Sequence, residues 1–275
     1  MRRDALLALL VLAAAWAATL WLSPFDNDRV NDLFVYGQFA TPVVHGALPY
    51  RDAFLEYPPL AAPAIALPAV LGTGAETFRA AFAGWTLLLA AACVLLTGAL
   101  AARTGGSRGT ALFAVAAAPL LCGAMVRTHF DLAPVALLLA GLLALCAERP
   151  RLGFALLGLG ALTKGFPLLA AAPALAWLLA PGRPTRTALQ SAAVLAAVVI
   201  VGCGLALAAS PSGASDALRY QLDRPVQIES SPASVLLALD AVGAGHATSV
   251  SSHRSNGLEH PAAGLVAAAF IALLA

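Results

Sequence analysis

Long apolar runs separated by polar connections set the pattern of this chain. Ala5 to Leu22, Phe78 to Ala102 and Thr187 to Ala209 are each long enough, as helices, to cross the roughly 30 Å hydrocarbon core of a bilayer. Shorter apolar pieces lie between them: Leu60 to Leu71, Thr110 to Met125, Leu132 to Ala147, Leu152 to Thr163 and Phe166 to Ala180. A last apolar run begins near Pro261 and reaches Ala275, so the sequence reads as a chain cut short within a span. Arg2 and Arg3 ahead of the first run imitate a secretory signal, but that run is long for a signal core and further spans follow it. An uncleaved first span is expected. The pattern predicts an all-α fold: a polytopic transmembrane helical bundle, one domain over residues 1–275, with short broken spans and two long outer loops, 23–59 and 210–260.

Composition agrees with the pattern. Hydrophobic residues make up 60% of the 275 and charged residues 11%, against about 25% charged in soluble domains. The mean hydropathy is +0.84, which leaves too little polar surface to coat a soluble globule. A net charge of +2, with no basic stripe interleaved with aromatics, excludes a nucleic-acid partner. The four cysteines sit inside apolar stretches without metal-ligand spacing and read as small core hydrophobes.

Arginine placement orients the chain. With the N-terminus in the cytoplasm, Arg2, Arg3, Arg103, Arg108, Arg149, Arg151, Arg183 and Arg186 all fall in short cytoplasmic connections. All of the 14 acidic residues except Asp4 and Glu148 then lie outside, with both long polar segments. The expected location is the plasma membrane, with the active site on the outer face. The pieces of about 12 to 16 residues would make helices of about 18 to 24 Å, too short to cross alone. Their ends must find protein or water partners at membrane depth, at the floor of a wet cavity open to the outside. Arg127, Asp131 and Lys164 sit at those ends; the alternative is full spans with snorkelling charges.

Candidate chemistry gathers outside. Asp32 and Tyr36 are four apart and share one face of an amphipathic helix expected over residues 32–44, ended by Gly46 and Pro49. A carboxylate there suits a general base toward a sugar hydroxyl, or is a helix N-terminal charge. Arg127 and Asp131, also four apart, are expected to form an ion pair that fixes two short helices. Lys164, the only lysine, is suited to hold a phosphate at headgroup level or to snorkel. Arg224, Gln227 and Glu229 are able to hydrogen-bond a polyol or a pyrophosphate-like group, or belong to a structured loop. His246, His253 and His260 lack metal-ligand spacing, and no nucleotide, hydrolase or metalloprotease motif is present. No metal and no cofactor is expected.

The ordered set Asp32-Leu-Phe-Val-Tyr36, Gly46-Ala-Leu-Pro-Tyr50-Arg-Asp52, Glu56-Tyr-Pro-Pro-Leu60, Arg127-Thr-His-Phe-Asp-Leu132, Thr163-Lys-Gly-Phe-Pro167 and Arg224-Pro-Val-Gln-Ile-Glu-Ser230 resembles glycosyltransferase family 87. That family has the GT-C fold and includes polyprenol-phosphate-mannose-dependent mannosyltransferases. The resemblance implies an inverting transfer of a mannose-like sugar from a polyprenyl-phosphate donor to a lipid or glycan acceptor on the outer face. Family members carry more spans than this sequence supplies. By resemblance Asp32 is the catalytic aspartate, with Asp28, Asp52 and Glu56 as rivals. Arg127, Lys164 and Arg224 bind donor phosphate; Tyr36, Asp52, Glu56, Asp131, Gln227 and Glu229 line the substrate site. A multi-pass transporter or lipid flippase is the alternative, disfavoured because the chain lacks internal repeats and its charges cluster toward one face.

Overall fold

The structure, a computed structural model, describes residues 2–274. It divides into two compact units, one reaching Gly213 and one beginning at Ala214. The described chain is mainly helical, and three of its helices are long and apolar enough to cross a membrane. It is an all-α membrane protein.

In the first unit α1 (Arg2–Trp21), α4 (Ala75–Arg103) and α11 (Thr185–Ala209) are those three helices. Between α1 and α4 lie α2 (Leu33–Val44) and α3 (Ala61–Ala66), the latter continued by a 3-10 turn, Leu67–Leu71. The piece expected over residues 110–125 is broken in two places. It forms α5 (Arg108–Ala117), α6 (Pro119–Cys122) and α7 (Met125–Thr128). Pro119 opens α6, and Gly123 separates α6 from α7 at φ +57°, where an added Cβ would also lie 3.3 Å from the Phe25 carbonyl oxygen. Ser107 starts α5 as its N-cap, accepting from the Thr110 N–H. Then come α8 (Leu132–Cys146), α9 (Pro150–Thr163), a 3-10 turn Phe166–Ala170, and α10 (Ala171–Leu178).

Two apolar clusters hold this unit together. Ala8, Leu12 and Trp16 of α1 pack on Ala90 and Val94 of α4 and on Leu112 and Ala116 of α5. Leu145, Phe154, Ala174, Leu178 and Ala188 join α8, α9, α10 and α11. Helices α8 and α9 form a hairpin closed by a three-residue connection, Ala147 to Arg149. Gly141 and Gly153 let the pair approach closely: a Cβ on Gly153 would meet the Gly141 carbonyl at 3.0 Å. With 15 and 14 residues these helices are about 22 and 21 Å long. The hairpin therefore brings the start of α8 beside the end of α9.

In the second unit, the segment 210–260, expected as a long outer loop, carries secondary structure of its own. It contains α12 (Pro211–Leu222), which begins at the end of the first unit, and α13 (Ser231–Ala241). It also contains an antiparallel sheet of β1 (Val226–Gln227), β2 (Thr248–Ser252) and β3 (Ser255–Glu259), in the order β1-β3-β2. His253 and Arg254, at φ 51° and 52°, make the two-residue turn between β2 and β3. Helix α14 (Ala263–Leu274) packs against α13.

Candidate active site

Asp32 is the N-cap of α2, and its carboxylate Oδ2 accepts from the Tyr36 hydroxyl, four residues on, at 3.0 Å. Tyr36 is buried, and burial raises its phenol well above the usual range, so it stays a neutral donor. Its ring stacks on Phe82 at 5.5 Å and meets Phe130 and Tyr57 edge to face. This aromatic cluster fixes α2 against α4 and the segment before α8. It makes Asp32 a carboxylate on a rigid support, 39% exposed.

His129 joins the same group. It follows α7 in an extended conformation and places Nε2 3.5 Å from Asp32 Oδ2. Sequence reasoning did not single it out. A lone histidine carries little signal, although it sat inside the Arg127 to Leu132 motif.

The expected Arg127–Asp131 pair is not formed. Asp131 is the N-cap of α8 and pairs with Lys164 at 2.6 Å, the residue that ends α9. Both charges suit their helix ends, a carboxylate at an N-terminus and a cation at a C-terminus. Lys164 Nζ also stands 5.3 Å from the Phe130 ring centre and 5.9 Å from that of Tyr57. Arg127 turns the other way. Only 6% exposed, it donates from Nε to the Thr19 carbonyl at 3.0 Å and from a terminal nitrogen to the Asp26 carbonyl at 3.4 Å. Thr19 is in the last turn of α1, where carbonyls lack helical partners, so Arg127 caps that helix. Its Nε and one terminal nitrogen are thereby held by backbone carbonyls of the fold.

The rival carboxylates are placed otherwise. Asp28 pairs with Arg79 at 2.5 Å. Asp52 accepts from Arg51 Nε and a terminal nitrogen at 2.9 and 2.8 Å and from the Leu48 N–H at 2.9 Å. The hydrogen bond from Arg51 chiefly, and that from Leu48, hold its carboxyl at about 2. Such a group is a poor proton acceptor. Glu56 is buried.

Arg224, Gln227 and Glu229 belong to the second unit. Arg224 donates to the His253 carbonyl at 3.3 Å, Gln227 Nε2 to Ser255 Oγ at 3.1 Å, and Glu229 is exposed in the turn before α13. Among the described residues no group of three or more His, Cys, Asp or Glu side chains is placed to hold a metal ion.

Two grooves flank this region. One of about 760 Å³ runs between α2 and the start of α4, lined by Phe34, Gln38, Thr41, Phe78 and Arg79 among others. It lies along the face of α2 that carries Leu33, Gly37 and Thr41, turned away from Asp32 and Tyr36. The other, about 540 Å³, is almost wholly apolar. It is walled by Leu60, Leu67, Leu89, Leu137, Leu159 and Thr163, with Ala133, Ala136 and Ala140 along α8. Thr163 directly precedes Lys164, and Ala133 is two residues past Asp131, so the groove ends beside their ion pair.

The family model of glycosyltransferase family 87 matches residues 54–275, most of the chain. The matched stretch includes His129, Asp131, Lys164 and Arg224; Asp32 and Tyr36 precede it. No curated protein and no solved structure matches the chain.

Proposed function

The chain belongs to glycosyltransferase family 87, and on that premise we propose that it transfers a mannose-like sugar from a polyprenyl-phosphate donor to a lipid or glycan acceptor, with inversion. The observation that carries the donor assignment is the apolar groove of about 540 Å³ ending at Thr163 and Ala133, beside the Lys164–Asp131 pair. A polyprenyl chain is apolar along its length and ends in an anion. The groove suits the chain, and Lys164 Nζ suits the phosphate as a compact cation.

Asp32 acts as the base. Its Oδ2 is taken up by Tyr36 and faces His129, which leaves Oδ1 for the acceptor hydroxyl. Asp32 removes the hydroxyl proton, the oxygen attacks the anomeric carbon, and the bond from that carbon to the phosphate oxygen breaks. Lys164 takes up the charge developing on the phosphate, so no strong acid is required. One carboxylate suffices for an inverting displacement. Arginine-rich short connections support a cytoplasmic N-terminus and, in this reading, a site on the outer face of a multi-pass plasma-membrane protein.

The test uses the full-length protein in proteoliposomes with a radiolabelled polyprenyl-phosphate mannose. Asp32→Asn is expected to lower transfer at least about 10²-fold while leaving membrane insertion intact. Turnover at the wild-type rate in that variant removes Asp32 from the base role. Transfer from a nucleotide sugar and none from the lipid-linked one removes the donor.

A further inference from the structure

His129 has contacts on both ring nitrogens, and they are not equivalent. Nδ1 lies 3.2 Å from the Met125 carbonyl oxygen and 3.0 Å from Thr128 Oγ1. A carbonyl only accepts. The Thr128 hydroxyl gives its own hydrogen to the Ala124 carbonyl at 3.1 Å, so it too presents a lone pair to the ring. Nδ1 therefore carries the hydrogen. In the neutral ring Nε2 is then bare, and it faces Asp32 Oδ2 at 3.5 Å. Two lone pairs cannot satisfy each other across that gap. A proton taken up by Asp32 during the reaction bridges it, with Nε2 as the acceptor.

We propose that His129 is the group that receives the proton of Asp32. This deepens the sugar-transfer reading and rests on it for the reaction itself. Held by the end of α7, the imidazole presents its bare Nε2 to one carboxylate oxygen and leaves the other to the acceptor. As the acceptor oxygen bonds to the anomeric carbon, its proton goes to Asp32. The electron pair of the broken carbon–oxygen bond leaves with the phosphate. The proton then passes from Asp32 to Nε2, which regenerates the carboxylate, and from the imidazolium to water. Around the pair stand Tyr36 from α2, Tyr57 from the loop before α3, Asp131 from the start of α8 and Lys164 from the end of α9. Lys164 and Asp131, paired at 2.6 Å, are opposite charges whose fields at the Asp32–His129 pair partly cancel.

The test has two arms on the full-length protein in nanodiscs. The first needs no turnover: nitrogen NMR of imidazole-labelled protein, with the His129 signal assigned by its loss in His129→Gln. The neutral ring is expected as the Nδ1–H tautomer; the Nε2–H tautomer overturns the proposal whatever the enzyme transfers. The second follows transfer from polyprenyl-phosphate mannose. His129→Ala is expected to lower kcat about 10²-fold with KM within about twofold. His129→Gln, whose amide can donate to Asp32 but cannot take a proton from it, is expected to recover none of that loss. A change confined to KM, or rescue by Gln, overturns the relay role. If the wild-type protein transfers nothing from this donor, the donor reading fails, and the tautomer still decides whether the ring is built as stated.

Discussion

Replacing Lys164 by methionine keeps an unbranched side chain and removes the charge, which separates what the lysine does for the fold from what it does for the reaction. Its partner is 2.6 Å away, but the two side chains are 35% and 44% exposed, so solvent screens the pair and its net worth is about 0–1 kcal/mol. The contacts over Phe130 and Tyr57, at 5.3 and 5.9 Å, add about 0.5–1 kcal/mol. Asp131 left alone remains at the N-terminus of α8, where the helix dipole favours it. The expected loss of stability is therefore about 0.5–2 kcal/mol. The effect on transfer is larger. A fixed charge facing a developing phosphate anion is worth about 3–4 kcal/mol, or 10²- to 10³-fold in kcat. The assay pairs thermal unfolding in nanodiscs with transfer from polyprenyl-phosphate mannose, and Lys164→Arg, which restores charge, is expected to regain part of the rate. Near-wild-type transfer by Lys164→Met would refute the phosphate role. A stability loss above about 4 kcal/mol, with transfer falling only as folded protein is lost, would refute the discount for exposure.

Three further outcomes follow from the same geometry. Arg127→Leu removes the donor that caps α1 and is expected to cost about 1.5–3 kcal/mol in thermal or denaturant unfolding, with the surviving folded protein binding donor normally; weaker donor binding at unchanged stability would return Arg127 to the site. Gly153→Ala drives a Cβ to 2.7 Å from Leu145 Cγ and 3.0 Å from a backbone oxygen and is expected to cost about 1–3 kcal/mol, whereas Gly84→Ala, with no atom within 4 Å, should not destabilise. For Asp52, whose carboxyl is held down at about 2, the bonds from Arg51 and Leu48 support the 48–52 turn above the unfolded carboxyl range near 4 and are lost as pH falls through about 2. Asp52→Asn should therefore leave the acid limb of the transfer profile, measured above about pH 4, where it is in the wild type; a moved limb would make Asp52 a competing base.

Much of the fold was legible because a bilayer imposes length and apolarity on its helices. The runs at residues 5–22, 78–102 and 187–209 match α1, α4 and α11 within a few residues. The breaks between α5, α6 and α7 were less legible, since Pro119 and Gly123 sit inside a stretch whose hydropathy never drops. The sheet in the second unit was not legible. Thr248 to Ser252 is polar except for Val250, with no apolar alternation, and its hairpin turns on His253 and Arg254 in the left-handed region, where Asn-Gly would have been the signal.

The site divides along the same physical line, between contacts set by one helix and contacts set by packing. Asp32 and Tyr36 meet because four residues make nearly one turn, and that could be read directly. Arg127 and Asp131 have the same spacing, yet His129 between them is extended, so no helix joins them and the rule does not apply. Lys164 is 33 residues from Asp131 and still meets it. The reason is the hairpin: two helices of nearly equal length, joined by a tight turn and pressed together at Gly141 and Gly153, must return the chain to its starting level. The residue before the first helix and the residue after the second are then neighbours whatever their identity. Read this way, the two short apolar pieces do more than hint at a cavity. Their matched lengths specify which two charges pair, Asp131 with Lys164, and they leave Arg127 to the end of α1.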